Sequence, residues 1–315
     1  MTGAVRPLVS VLIITYNQQD IVRETIESCF EQTYANFEIV VSDDGSSDDT
    51  PNILKELVAR SPHPMKLVLN PINQGITANC NAGLAACTGS YIALMGGDDL
   101  LLPEKLSRQV EAFESDSSLV LSYHPCFVLR EGVVAETVGD RPKDVVRNLN
   151  EMISNFGAQL PGPATMVRRS AIPRRGFRAE LGTASDWMYF IDVSANGSVT
   201  RLDEPLAIYR QHGGNVGQRY FSYSDDFLRT LELARQSYGN RPGIERAIRK
   251  GGTRFLLGIM YRAIAMGRRD LAVGYARKLS EYSNPALAAS ARLVAGIPGT
   301  SAIFARAKNL LKRYV

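Results

Sequence analysis

Apolar and polar positions change period several times along the first 125 residues. "LVSVLIITYN" (8–17) is a continuous apolar, β-branched run, as expected of a strand buried on both faces. In "QDIVRETIESCFEQT", Ile21, Val22, Thr25, Ile26, Cys29 and Phe30 recur at helical spacing. "FEIVVSDDGSSDDTP" is a strand running into an acidic turn, after which Asp49 or Thr50 is placed to cap a helix with Pro51 in its first turn. "MKLVLN" predicts a third strand, "NQGITANCNAGLAAC" a helix of small residues and "SYIALMGGDD" a fourth strand. A helix over 103–114 opened by Pro103 and a strand "LVLSY" (119–123) follow. Repeated β-α-β units imply right-handed crossovers and a mostly parallel sheet with helices on both faces.

Residues 126–220 follow another pattern. "CFVLREGVVAETVG" predicts a hairpin with a Glu-Gly turn. A helix over about 143–157, a strand "ATMVRR", a helix from Asp186 and strands "SVTRL" and "LAIYR" complete the segment. From 221 onward the pattern is helical. Residues 252–282 resemble one helix-turn-helix unit of a repeat array, but a single unit predicts only local helix packing. The expected division is 1–220, with halves 1–125 and 126–220, followed by a helical extension, 221–315.

The strand ends carry the candidate chemistry. In a doubly wound sheet, ligands bind beyond the carboxyl ends of the strands. Asp43 and Asp44 end the second strand, and Asp98 and Asp99 the fourth. Adjacent carboxylates repel each other unless a cation or hydrogen-bond donors compensate, and a hard divalent cation bridging them to phosphates is one solution. A solvated turn with a helix cap is the other.

Composition narrows the picture. The 315 residues are 45% hydrophobic and 22% charged, an ordinary globular balance. No secretory signal pattern and no run of about 18 apolar residues is seen, so a cytoplasmic location without spanning helices is expected. Cys29, Cys80, Cys87 and Cys126 lack CxxC spacing, which argues against thiolate metal sites and a disulfide framework. The net charge of +4 conceals an asymmetry: residues 240–315 sum to +12 and the rest to −8. Such a basic tail implies an anionic contact, either a surface or the acidic body. Nucleic acid is not expected, because no recognition motif accompanies the charge. "TYNQQD" in place of GxGxxG argues against a nicotinamide dehydrogenase.

"TYN" (15–17), "DDGSSDDT" (43–50), "NQGITANCNAG" (73–83), "GGDD" (96–99) and "PEKL" (103–106) occur in one order. In that order the chain resembles the inverting family 2 glycosyltransferases over about residues 8–215. The resemblance implies a GT-A fold: an α/β, Rossmann-like, mostly parallel sheet flanked by helices, here with a C-terminal helical extension. It implies a nucleotide-sugar donor, UDP-linked by default with GDP or dTDP as alternatives. A glycan or lipid-linked acceptor in surface polysaccharide synthesis and a Mn²⁺ or Mg²⁺ cofactor are implied with it.

Carried over by motif, Thr15, Tyr16, Asn17, Asp44, Ser46, Asn73, Gly75, Asp98 and Arg210 bind the donor. Tyr16 packs beside the base, Asp44 accepts its imino N–H, and Arg210 neutralises phosphate. Asp99 ligates the metal, with His212 as a second candidate. Asp186, near a helix start, is the candidate catalytic base; its other reading is a helix cap, with Trp187 as core. The chain departs from the family at Ile14, where proline is common, at Cys80, where arginine is usual, and at Gly96 and Gly97, which replace the first acid of the DxD-like motif. These departures keep open a catalytically degenerate, sugar-nucleotide-binding or scaffold role. The "QxxRW" motif of processive synthases is absent, so transfer of a single sugar is expected. The 301–315 segment has helical apolar spacing with a basic flank, as a helix on an anionic membrane would. Packing on the acidic body, or a homodimer contact, are the alternatives.

Overall fold

The computed structural model describes residues 6–139, 145–155, 160–182, 185–211 and 221–296. The chain divides into two compact units, 1–218 and 219–315.

In the first unit the elements run β1 (Val9–Thr15), α1 (Val22–Phe30), β2 (Phe37–Asp43), α2 (Thr50–Arg60), β3 (Met65–Leu69), α3 (Ile76–Ala86) and β4 (Tyr91–Gly96). Then come β5 (Leu100–Leu101), α4 (Lys105–Ser115), β6 (Leu119–Tyr123), β7 (Cys126–Arg130), β8 (Val133–Val138) and α5 (Leu149–Asn155). β9 (Met166–Arg168), α6 (Ser185–Ser194), β10 (Ser198–Arg201) and β11 (Ala207–Gln211) close the unit. The second unit contains α7 (Ser224–Tyr238), α8 (Ile244–Ala265), α9 (Arg269–Lys278) and α10 (Pro285–Gly296). No helix among the described residues is long and apolar enough to cross a membrane.

The main sheet has seven strands in the order β10-β6-β9-β4-β1-β2-β3. The chain leaves β1 toward β2 and β3, then crosses to β4 on the other side, so the order reverses between β1 and β4. Both faces of β1 are buried, which is why its sequence shows no polar alternation. Val9, Val11 and Ile13 join Ile39 and Val41 of β2 against α1, α2 and α4, through Val22, Ile26, Leu54, Leu57, Leu106 and Phe113. On the opposite face α3 lies so close that a Cβ on Gly83 would sit 2.5 Å from Leu12 Cδ1 and 2.9 Å from Ser42 Cβ.

Three features differ from the sequence expectations. β9 pairs antiparallel with both β4 and β6, interrupting the parallel sheet. β5, β11, β7 and β8 form a separate four-stranded sheet, in which the expected β7–β8 hairpin turns through Glu131 and Gly132, both at positive φ. The helix expected over about 143–157 is confined, among the described residues, to Leu149–Asn155. Asp49 is the N-cap residue of α2, as expected, but makes no side-chain cap bond; Asp48 Oδ1, one residue earlier, accepts the Thr50 N–H at 3.0 Å.

Candidate active site

Strand register brings the motifs to one edge. Thr15 pairs with Asp43, Ile14 with Gly96, and Asp43 with Leu69, so β1, β2, β3 and β4 end together. The loops that follow form one rim at the reversal between β1 and β4, where open α/β sheets bind ligands.

Much of the polarity on this rim holds the loops to one another. Asn17 adopts a left-handed φ of 51°, which asparagine tolerates better than most residues. Its N–H donates to Ser46 Oγ at 2.8 Å, and its Oδ1 accepts the Ser47 N–H at 2.9 Å. Ser46 in turn donates its hydroxyl to Asp43 Oδ1 at 2.5 Å and its N–H to Asp43 Oδ2 at 2.9 Å. The buried Thr15 hydroxyl donates to Gln18 Oε1 at 2.7 Å. Tyr16, by contrast, is exposed beside this staple.

Asp44 is 3% exposed. Its two oxygens accept the N–H groups of Gln74 and Gly75, each at 2.9 Å, so it caps the N-terminus of α3 from outside the helix. Asn73 Oδ1 shares the Gly75 N–H at 3.0 Å. Each Asp44 oxygen has a second lone pair for another donor. Gly45 is needed here: at φ 69° a side chain is strained, and a Cβ would lie 2.6 Å from the Ile72 carbonyl carbon.

The glycines of "GGDD" have a steric cause. A Cβ on Gly96 would fall 2.4 Å from Asp98 Oδ1 and 3.3 Å from Asp99 Oδ2. One on Gly97 would fall 2.2 Å from Gln18 Oε1 and 2.9 Å from Thr15 Cβ. The turn folds back over its own strand, and the two carboxyl groups converge on the small space above Gly96. Asp99 is 3% exposed; its Oδ1 accepts the Arg210 N–H at 3.1 Å and its Oδ2 the Gly96 N–H at 3.4 Å. Burial, reinforced by the neighbouring Asp98 charge, pushes the Asp99 carboxyl well above the usual carboxylate range. A buried oxygen pair of this kind is relieved by a hard cation. Among the described residues no group of three or more His, Cys, Asp or Glu side chains forms a metal site. Asp99, with the Asp98 charge beside it, would suit a cation that takes its remaining ligands from phosphate or water, the habit of Mg²⁺ and Mn²⁺. His212 lies outside the described residues.

Asp186 reaches the rim through α3. Thr77, in the first turn of α3, donates to the Gly182 carbonyl at 3.1 Å and lies 3.1 Å from Ser185 Oγ. Asp186, the second residue of α6, lies beside this contact and is exposed, its Oδ1 accepting the Trp187 N–H at 2.6 Å. Surrounding protein nevertheless desolvates the carboxyl and pushes it up to about 6. Solvent access works against that shift, but it also lets an acceptor reach the group. Trp187 is core, its indole N–H donating to the Met152 carbonyl at 3.2 Å. Cys80 lies within electrostatic reach of both Asp186 and Asp44; burial first, then those two charges, push its thiol up to about 12.

The sequence reading missed three groups. Asn79 is buried and ties three strand ends together: it accepts from Ser42 Oγ at 2.6 Å and from Asn70 Nδ2, just past β3, at 3.1 Å, and donates to the carbonyls of Ser42 and Thr15 at 3.0 and 3.3 Å. Glu24 pairs with Arg210 at 2.6 Å. Lys105 is fully buried, its Nζ 2.5 Å from Gln109 Oε1, and burial pulls it down to about 7. Only Asn79 carried a signal, as a polar residue on the sheet-facing side of a helix of small residues.

Comparison with known proteins fits this geometry. The family model for glycosyl transferase family 2 matches residues 10–133. EpsE of Bacillus subtilis (strain 168) is 31% identical over 227 residues, spanning 70% of this chain and 79% of that protein. The chain belongs to glycosyltransferase family 2. Another relative of this family 2 glycosyltransferase is WfaP of Escherichia coli, described as a UDP-Glc:α-D-GlcNAc-diphosphoundecaprenol β-1,3-glucosyltransferase. WfaP is 26% identical over 234 residues, 73% of this chain and 84% of that protein. The mannosyltransferase PcManGT of Pyrobaculum calidifontis, solved with GDP-Man and Mn²⁺, superposes with a TM-score of 0.64 at 19% identity, covering 97% of this chain and 88% of that one. At that identity the likeness establishes the GT-A fold of this family 2 enzyme.

Proposed function

We propose that this glycosyltransferase moves one sugar from a nucleoside-diphosphate sugar, UDP-linked by default, to a hydroxyl of a glycan or lipid-linked acceptor, with inversion. The observation that carries the reading is the convergence of Asp98 and Asp99 over Gly96, on the same rim as Asp44 and α3. Asp44 and Tyr16 face the base, and Asp98 the ribose or sugar. Asp99 would hold a divalent cation, which would supply charge neutralisation to the leaving diphosphate. Asp186 accepts the proton of the acceptor hydroxyl. That oxygen then bonds to the anomeric carbon from the face opposite the diphosphate, and the anomeric C–O bond breaks with its electron pair leaving on the nucleoside diphosphate. Inversion follows from this single displacement. The UDP-sugar and diphospholipid named for WfaP support the donor and acceptor classes, and the Mn²⁺ bound by PcManGT supports the cofactor. The case for a degenerate scaffold weakens, because a Cβ on Gly97 would press on Thr15 Cβ and one on Gly96 would displace the Asp98 and Asp99 carboxyl groups, so the two glycines suit the turn that presents them.

A panel of nucleotide sugars with Mn²⁺ or Mg²⁺, read by calorimetric binding and by nucleotide release, tests the proposal. Asp186→Asn should bind donor as the wild type does and lose transfer by about 10²- to 10⁴-fold. Transfer retained by that variant removes Asp186 as the base, and failure of every donor to bind removes the reading.

A further inference from the structure

Arg210 is held against the Asp98–Asp99 turn from three directions. Its backbone N–H donates to Asp99 Oδ1 at 3.1 Å, its Nε donates to the Asp98 carbonyl at 2.9 Å, and its Nη2 donates to Glu24 Oε2 at 2.6 Å. The first contact follows from strand pairing: Ala207 and Ile208 of β11 lie antiparallel to Leu101 and Leu100, the two residues of β5 that follow Asp99 closely. The third comes from another element, the first turn of α1, which begins just beyond the end of β1. Glu24 therefore meets the guanidinium from an element other than the turn that Arg210 lies against.

The two partners differ in what they lose if they separate. The Glu24 side chain is 61% exposed and that of Arg210 only 18%. An exposed carboxylate at a helix N-terminus is solvated and favoured by the helix dipole without a partner. A guanidinium beside the Asp98–Asp99 turn favours an anion at its outer edge, and its planar fork suits phosphate oxygens at least as well as a carboxylate. An ion pair this open contributes little by itself. The contact is thus weak on the Glu24 side and replaceable on the Arg210 side.

We propose that Glu24 is a positioning residue that holds the Arg210 guanidinium over the Asp98–Asp99 turn in the donor-free enzyme and yields it to the diphosphate of the incoming nucleotide. The inference rests on the donor site proposed above. In this exchange one guanidinium–carboxylate pair is given up for a guanidinium–phosphate pair, and Glu24 returns to water. Glu24 competes with the diphosphate, so its carboxylate sets how firmly donor and released nucleoside diphosphate are held.

The test is calorimetric titration of the full chain with UDP and Mn²⁺, on the wild type, Glu24→Gln, Arg210→Gln and the double variant. Glu24→Gln should tighten UDP binding by about 2- to 5-fold, the range a partly exposed ion pair supplies. In the Arg210→Gln background the same change should have no effect, and the donor KM of Glu24→Gln should fall while its melting temperature stays that of the wild type. Unchanged or weaker UDP binding by Glu24→Gln, or an effect that persists without Arg210, overturns the exchange. A buttressing role for Glu24 predicts weaker binding together with a lowered melting temperature, and also overturns it. If the wild type binds neither UDP nor GDP nor dTDP, the donor-site reading falls and the exchange with it; wild-type binding with no Glu24 effect removes the exchange alone.

Discussion

The base role proposed for Asp186 places two demands on one carboxyl. It must be reachable by an acceptor hydroxyl, and it must hold a proton firmly enough to remove one. Its exposure meets the first, and the upward shift of its carboxyl, which the surrounding protein drives and solvent access opposes, serves the second. Where arginine is usual in the family, this chain has Cys80, a neutral thiol within reach of the same carboxyl. The sign of the pH dependence follows: an acid with a raised pKa is protonated, and useless as a base, below that pKa. With saturating donor, transfer should fall about tenfold per pH unit below about 6 and be level above it. A profile flat to pH 4.5, measured by nucleotide release with donor binding intact, would contradict the assignment. At this scale the sequence revealed the carboxylates but not their surroundings. Glu24 and Arg210 meet across 186 positions, and the burial of Lys105 left no mark because its helix turn reads as polar.

Elements explain why the motif residues are where they are. α3 carries "NQGITANCNAG", and its spacing reflects close contacts. Gly75 is at the helix start, where Asp44 caps it. Asn81 donates to the Phe177 carbonyl and accepts the Phe177 N–H, both at 2.8 Å. Gly83 lies on the Leu12 and Ser42 side chains of the sheet. Gly83→Ala should therefore overpack this face and cost about 1–3 kcal/mol of stability. Urea unfolding measures it; a midpoint equal to wild type would show that α3 has room to move off the sheet. Strand existence was legible because buried parallel strands are continuous apolar runs with marked ends. The antiparallel entry of β9 between β4 and β6, and the second sheet around β11, were not legible. Three- to five-residue strands whose partners lie more than 40 positions away have no local signature.

On the scale of the whole molecule, charge and topology assign different tasks to different parts of the chain. The sheet delivers acidic groups to one rim of the first unit, while the basic excess lies in the last 76 residues. The described helices of the second unit keep that excess on exposed side chains such as Arg246, Lys250, Arg277 and Arg292. The tail at 301–315 lies outside the described residues. The parallel order of the first four long strands, and hence the site's position, follows from the β-α-β pattern alone, because right-handed crossovers leave few alternatives. The division of labour on the rim did not follow from that pattern: Asn17, Asp43 and Ser46 hold the loops, and Asp98 and Asp99 face the space above Gly96. The central claim is that Asp99, at this space, would hold a cation that supplies charge to the donor's diphosphate. Calorimetric titration of wild type and Asp99→Ala with UDP, with and without Mn²⁺, tests it most directly. The account predicts binding that requires the metal and is lost in Asp99→Ala; equal UDP affinity in the two proteins, or binding indifferent to the metal, would contradict it.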